Sequence, residues 1–269
     1  MGKKRIDLVV SDLDDTLLSP DKTIYDDAKS VIEKLENKNI KFTFITGRPP
    51  YAVERFAKQV NITAPIITCN GAMIVDGKDI QTKENAKIKM ESISDLLTEA
   101  KEKDLTVLVL GKNTEYALSE TEWTDFRKKA GRAYPILNLS EILKIENAIY
   151  KLNIMAGGKN EIFEKLIPQI EYLKNEYSIS IYGTTGCEIV ANGINKESAL
   201  KELCCSININ LENVLAIGDN ENDLGMLKSA GIGAAVANAS NSAKNMADYI
   251  CKESYANGVI EAINTFCQG

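Results

Sequence analysis

The stretch Asp7–Ser19, DLVVSDLDDTLLS, sets an apolar run, Leu8–Val10, directly against three carboxylates, Asp12, Asp14 and Asp15, and resumes apolar character at Leu17 and Leu18. Carboxylates are rarely buried unless paired. Their crowding between two buried-looking segments calls for something that compensates the charge. The β-branched run Ile6–Val10 is expected to be a short strand buried on both faces, with the acids at its C-terminal end.

Elements read outward from this strand alternate. Asp26–Asn39 carries Ala28, Val31, Ile32 and Leu35 at helical spacing. Ile40–Ile45 predicts a second strand, ending at Thr46-Gly47-Arg48, and Pro49-Pro50 opens a helix through Ala52–Gln59. Pro65–Cys69 predicts a third strand, stopped by Asn70-Gly71. The last third returns to the same alternation, with helix Lys196–Cys205, strand Val214–Ile217 ending in Gly218-Asp219, helix Leu224–Ser229, strand Ile232–Val236 and helix Gly258–Phe266. This βαβ order argues for an α/β fold with a doubly wound, parallel, Rossmann-like sheet. The middle differs, with strands at Thr106–Leu110, Lys151–Met155 and Ile179–Tyr182 between helices Glu91–Lys103, Trp123–Ala133 and Asn160–Glu176. The expected organisation is a core of two segments, 1–83 and 188–269, interrupted by an inserted α+β domain, 84–187.

Composition narrows the function classes. In 269 residues with net charge −6, no basic run exceeds Lys3–Arg5, which excludes a nucleic-acid footprint. No apolar run is long enough to span a bilayer, and no apolar signal core precedes the first strand. The six cysteines, Cys69, Cys187, Cys204, Cys205, Cys251 and Cys267, form no C-x-x-C pair, and the chain has no histidine. Zinc and imidazole chemistry are therefore not expected, and the thiols read as reduced in a cytosolic protein.

In an open parallel sheet, ligands bind beyond the C-terminal strand ends. Four polar clusters fall there: Asp12/Asp14/Thr16, Thr46-Gly47-Arg48, Lys196 at a helix start, and GDNEND at Gly218–Asp223. Adjacent ionised carboxylates need a cation nearby. An all-oxygen donor set selects a hard ion such as Mg²⁺. A lysine and hydroxyl donors added to that set fit phosphate, toward which an aspartate can act as nucleophile. Calcium-loop readings from Asp12 or Asp219 fail, because the required glycine position holds Leu17 or Leu224 and the required glutamate position Thr23 or Ala230. No G-x-x-x-x-G-K-[ST] occurs, so a P-loop is excluded.

DLDDTLL, TGR, the lone Lys196 and GDNENDLGML resemble the four motifs of the haloacid dehalogenase (HAD) phosphatase superfamily. The long insert after the third strand, with CNGA at Cys69–Ala72, VANA at Val236–Ala239 and ANGV at Ala256–Val259, resembles its Cof-type branch with a type IIB cap. The resemblance implies a Mg²⁺-dependent phosphatase of small phosphorylated metabolites, with sugar phosphates as the expected class. It implies Asp12 as nucleophile and Asp14 as the acid and base. It implies Mg²⁺ between Asp12, Asp219 and the backbone carbonyl of Asp14. Thr46, Gly47 and Lys196 are expected at the phosphate, and Arg48 either on substrate or in a local pair. Asn70 and Asn222 are expected near substrate, with Thr16 and Asp223 supporting; Asp15 stands where the family often has glycine. A phosphomutase using the same aspartyl-phosphate and a non-catalytic sugar-phosphate sensor are the alternatives. The insert is expected to close over the leaving group on two hinge strands, near Gln81–Glu84 and Thr185–Ile189.

Overall fold

A computed structural model of the chain describes residues 5–77, 79–82, 86–144 and 149–267. It divides into two compact units, Met1–Gln81 with Asn195–Gly269, and Thr82–Ile194.

In the first unit, β1 (Leu8–Ser11) leads through α1 (Asp26–Glu36) to β2 (Lys41–Phe44), then α2 (Pro50–Ala57) and β3 (Ile66–Thr68). β3 continues into β4 (Met73–Asp76) and β5 (Asp79–Thr82), a small three-stranded sheet in which β3 and β4 are antiparallel, joined to the end of β2 by an Ile45–Ile67 bridge.

The second unit holds α3 (Ser94–Glu102), β6 (Thr106–Leu110), β7 (Glu115–Ala117), α4 (Glu122–Lys129), α5 (Leu139–Ile142) and β8 (Lys151–Met155). It continues with α6 (Asn160–Glu164), α7 (Ile167–Leu173), β9 (Tyr177–Ile181) and β10 (Gly186–Ala191). The first unit then resumes with α8 (Lys196–Ser206), β11 (Val214–Gly218), α9 (Leu224–Ser229), β12 (Ile232–Ala235), α10 (Asn241–Met246), β13 (Tyr249–Ile250) and α11 (Tyr255–Phe266).

The main sheet of the first unit runs β13-β12-β11-β1-β2, parallel throughout. The chain winds one way from β1 to β2 and the other way from β11 through β12 to β13. Right-handed crossovers therefore put α1 on one face and α9 and α10 on the other. Burial explains why β1 reads as a continuous apolar run: Leu8, Val9 and Val10 are fully buried, as are their partners Val214, Leu215 and Ala216. The strand order reverses between β1 and β11, and this switch point is where a doubly wound sheet opens a crevice beyond its C-terminal strand ends.

The sheet of the second unit is antiparallel, ordered β7-β6-β8-β10-β9. One face carries Val107, Val109, Leu152, Ile154, Cys187 and Ile189, packed with Leu96, Leu97, Phe163 and Ile170 from the helices. The register puts Asn153, Glu188 and Ser180 in one row on the opposite face, so the sheet is two-sided in chemistry.

Three expectations change. The second unit runs to Ile194, beyond the expected boundary at 187, because β10 pairs with both β8 and β9. Thr185–Ile189, expected as a hinge strand, is a strand from Gly186 onward but lies inside the second unit's sheet rather than at the boundary between the units. The other expected boundary, 83/84, lies outside the described residues, as do 83–84 of the expected hinge Gln81–Glu84, whose Gln81 and Thr82 end β5, and the basic pair Lys3-Lys4. The helix expected over Asn160–Glu176 is broken into α6 and α7. Pro168 has no N–H to give the Glu164 carbonyl, and its ring crowds that carbonyl.

Candidate active site

The acids sit where they do because apolar residues pin the loop on both sides. Leu13, Leu17 and Leu18 are fully buried, and the Asp12 N–H continues the ladder to the Ile217 carbonyl at 2.9 Å. Between these anchors Asp14 is extended and Asp15 takes a left-handed conformation, φ 58°. That conformation suits glycine, and aspartate tolerates it better than most residues. Asp15 thus fills a glycine-type position, and its carboxylate meets Lys22 at 3.1 Å rather than the acidic cluster.

Asp12, Asp219 and Asp223 converge, with one carboxylate oxygen of each within 4.8 Å of the others. They come from the ends of β1 and β11, so the switch point itself gathers them. Lys196, at the first position of α8, is fully buried among them, 2.8 Å from Asp12 Oδ1 and 2.6 Å from Asp223 Oδ1. Asn195 caps α8 by accepting the Ser198 N–H, which fixes where the lysine starts. Glu197, next to the lysine, turns away to Lys201 and Ser229 and leaves the Lys196 charge to the cluster. Asp223 uses both oxygens on protein groups, Oδ1 on Lys196 and Oδ2 on the Asp219 and Asn220 N–H groups. Asp12 and Asp219 are therefore the carboxylates better placed to hold a cation. Thr16 donates to Asp219 Oδ1 at 2.7 Å.

Two glycines make this packing possible. A Cβ on Gly218 would lie 2.6 Å from Asp223 Cγ, so only glycine lets that carboxylate fold back on its own loop. Gly71, at φ +112°, backs onto the start of α8, where a Cβ would meet Ala199 Cβ and the Asn195 carbonyl at 2.9 Å.

Three buried carboxylates face one ammonium. Burial, then the Asp223 and Asp219 charges, push the Asp12 carboxyl well above its ordinary value, against Lys196. Burial and Asp223 push Asp219 up to about 7. Burial opposes the charge on Lys196, but Asp12 and Asp223 outweigh it and hold the ammonium protonated. A site that resists its own negative charge, offers only oxygen donors and keeps one permanent cation fits a hard divalent ion.

Asp14 lies apart from this cluster. Arg48 grips it as a fork, Nε to Oδ2 and Nη2 to Oδ1, both at 2.6 Å, and Lys22 approaches Oδ1 at 3.3 Å. Burial would raise the Asp14 carboxyl, but Arg48 and then Lys22 bring it below the ordinary value. Arg48 is thus in a local pair, one of the two roles expected for it. The Asp14 side chain is not in the acidic cluster, so only its backbone carbonyl remains as a metal donor from this residue.

Buried Thr46 follows β2; its hydroxyl oxygen accepts the Arg48 N–H at 3.2 Å and keeps its own proton to donate. Gly47 is half-buried beside it. Asn70, left-handed at φ 54°, is buried and accepts from Asn222 Nδ2 at 3.3 Å. The structure thus brings Asp12, Thr16, Lys196, Asp219 and Asp223 together, and joins Asn70 with Asn222 and Asp14 with Arg48. Sequence reasoning missed Lys22 and Asn238. Asn238 donates to the Asp15 carbonyl at 2.7 Å and accepts the Tyr255 N–H. Only its place in VANA pointed to it.

A family profile described as haloacid dehalogenase-like hydrolase matches residues 9–263. The chain is 30% identical over 261 residues to the 5-amino-6-(5-phospho-D-ribitylamino)uracil phosphatase YcsE of Bacillus subtilis, covering 96% of this chain and 94% of that one. Among solved structures, a haloacid dehalogenase-like hydrolase from Bacteroides thetaiotaomicron matches with TM-score 0.79 and 25% identity over 97% and 99% of the two chains. The HAD subclass IIB sugar phosphatase BT4131 shares the fold, with TM-score 0.77 and 20% identity over 97% and 98%.

Proposed function

We propose, given that the chain belongs to the haloacid dehalogenase-like hydrolases and is a phosphatase of small phosphorylated metabolites, that it works through a phosphorylated Asp12 and requires Mg²⁺. The observation that carries this reading is the buried cluster of Asp12, Asp219 and Asp223 around Lys196 at the strand-order switch. Asp12 and Asp219, with the Asp14 carbonyl, would hold the ion, which when bound offsets phosphate and carboxylate charge.

Asp12 attacks phosphorus in line and forms the new P–O bond while the bridging P–O bond breaks. Asp14, held ionised in the free site by Arg48 and Lys22, takes up a proton from the bound phosphate monoanion, passes it to the departing oxygen and later takes one from the water that hydrolyses the phospho-enzyme. Lys196, fixed by Asp223, meets the charge that develops on the transferring group. Thr46, and Lys196 again, bind the phosphate oxygens; Gly47, Asn70 and Asn222 border the substrate. Arg48, through its fork, sets the plane of the Asp14 carboxylate.

For substrate we propose sugar phosphates and related polyol phosphates of the cytosol. Support comes from the phosphoribityl substrate in the name of the Bacillus relative and from the polar row Asn153, Glu188 and Ser180 on the second unit's sheet. The unbridged thiols are compatible with a reducing compartment. We assign the choice of metabolite to the second unit.

The test is phosphate release from a metabolite panel with Mg²⁺ and with excess chelator, run in ¹⁸O-labelled water. Label in the released phosphate and loss of turnover in chelator are expected. Full activity in chelator removes the metal assignment. Phosphate moved to a second sugar, without label, indicates a mutase. Alanine at Asn113, Tyr116 or Tyr182 should change kcat/KM on a preferred metabolite more than on p-nitrophenyl phosphate; equal losses on both would overturn the selector role.

A further inference from the structure

The loop that follows β12 reaches both of the loops that carry the acidic cluster. Its Ser240 N–H donates to the Asp219 carbonyl at 2.8 Å, and Asn238 donates from Nδ2 to the Asp15 carbonyl at 2.7 Å. Asn238 Oδ1 accepts the Tyr255 N–H at 2.8 Å, so a carbonyl on one side and an N–H on the other settle which end of the amide is oxygen. The loop is itself pinned. Val236 is fully buried, Ala239 donates to the Val236 carbonyl, and Ala237 donates to the Glu253 carbonyl, both at 2.9 Å.

Asp15 is where this hold matters. Its backbone is left-handed, φ 58° and ψ 8°, a conformation that a residue other than glycine keeps only where its surroundings enforce it. Peptide units are planar. The Asp14 carbonyl belongs to the unit that ends at the Asp15 nitrogen, so that single φ, ψ pair separates it from the Asp15 carbonyl. An amide that fixes the Asp15 carbonyl therefore fixes the direction of the Asp14 carbonyl as well. We infer that Asn238 is a positioning residue for the cation site: it holds Asp15 left-handed and so sets the Asp14 carbonyl, while Ser240 of the same loop holds the backbone of Asp219. The inference rests on the reading of Asp12, Asp219 and the Asp14 carbonyl as the groups that hold Mg²⁺.

The cluster needs an outside hold because its own charges work against it. Asp12, Asp219 and Asp223 converge on the single ammonium of Lys196, and like charges at that range repel. The ladder between β1 and β11 reaches as far as the Asp12 N–H on the Ile217 carbonyl. Beyond it, Thr16 ties the two loops directly through Asp219 Oδ1, and the loop after β12 ties them from outside. Truncating the half-buried Asn238 leaves the Thr16 tie in place and opens the Asp15 carbonyl to water. The site then loosens without collapsing, and the loss falls on cation affinity.

The experiment reads Mg²⁺ binding in two ways. One is the affinity taken from the rise of the melting temperature with Mg²⁺ concentration, without substrate. The other is the Mg²⁺ concentration that gives half-maximal hydrolysis of p-nitrophenyl phosphate. Asn238→Ala is expected to weaken both by about ten-fold, the lower end for groups that orient metal ligands, and to keep kcat at saturating Mg²⁺ within about two-fold of the parent. Asp15→Gly in the Asn238→Ala background, measured against Asp15→Gly alone, should recover most of the loss, because glycine takes the left-handed region without steric cost. A residue that merely braced α11 would show no such rescue. Asn238→Ser, which leaves a hydroxyl for water, should weaken binding in the same direction and carries the test where the alanine variant does not fold. Asp219→Asn is run alongside. If it weakens Mg²⁺ binding while the Asn238 variants do not, or if their loss lies in kcat at saturating Mg²⁺ or resists Asp15→Gly, the positioning role is overturned. If Asp219→Asn binds Mg²⁺ as the parent does, the metal reading fails and takes the role of Asn238 with it.

Discussion

Lys196→Met removes, among the described residues, the one ammonium that stands among three buried carboxylates. The stem volume is retained, so the change is in charge rather than packing. Lys196 is within 2.8 Å of Asp12 and 2.6 Å of Asp223, and its side chain has no solvent exposure. Breaking a buried pair by deleting one partner costs about 3–5 kcal/mol, because the other charge is left buried and alone. At roughly 2–4 °C per kcal/mol for a chain of this size, the metal-free variant should melt about 6–20 °C below the parent at pH 8. The sign of the pH effect follows from the carboxyls. Asp12 and Asp219 already sit above their ordinary value, and losing the lysine moves them further up. A group whose native value is raised stabilises the fold below its unfolded value and loses that contribution as pH rises. At pH 5 the carboxyls take up protons and the deficit should shrink to less than half. The assay is thermal unfolding in chelator at both pH values, with circular dichroism and fluorescence compared for coincidence. In an Asp12→Asn background the same lysine change should cost about 0.5–3 kcal/mol less, the coupling expected for groups in contact. An equal deficit at pH 5 and pH 8, or none at pH 8, would refute a lysine that balances buried charge.

Asp12→Asn should abolish phosphate release while raising or preserving the melting temperature in chelator, since an amide cannot attack phosphorus and the crowding is relieved; residual turnover near the parent rate would remove Asp12 as nucleophile. Gly218→Ala should cost about 1–3 kcal/mol and lower kcat with far-ultraviolet circular dichroism retained, because the new methyl displaces Asp223 from Lys196. The metal-free parent should lose stability as pH rises from about 4 through about 7, the range between the ordinary and native values of Asp219, and Mg²⁺ should raise the melting temperature more at pH 8 than at pH 5. Asp219→Asn should flatten both trends.

What the sequence made legible is local. The run Leu8–Val10, the helix spacing of Ala28, Ile32 and Leu35, and the starts of α8 and α9 follow from periodicity and caps, and the structure has them in place. The four polar clusters were legible because each terminates a strand or opens a helix. Partners that depend on distance in space were not. Strand β10 was legible only as a hinge strand at Thr185–Ile189; its place inside the second unit's sheet depends on β8 and β9, and Glu188 within it pairs with Lys151 of β8. The break at Pro168 was visible in principle, but Ile167, Ile170 and Leu173 keep helical spacing across it. Arg48 offered two roles until its fork on Asp14 fixed one, a contact spanning 34 positions. Lys22 carried no signal: its neighbours Asp21 and Thr23 read as an ordinary polar turn.

The pairing of Leu8 with Val214 has a consequence for how the molecule is made. β1 is synthesised early, yet one of its two neighbours emerges only after some two hundred further residues. At roughly 5–20 residues per second, that edge waits about 10–40 s on the ribosome with its backbone groups unmet. Throughout that interval Leu8, Val9 and Val10 present an apolar, β-branched template to any other chain. The second unit, whose sheet draws only on residues already translated by Ala191, can fold during the wait and shorten the effective loop that must later close. Loop closure grows only logarithmically with length, so the delay is a kinetic exposure rather than a thermodynamic one. Slowing translation within the insert should therefore raise aggregation of the nascent protein without altering the stability of the finished one.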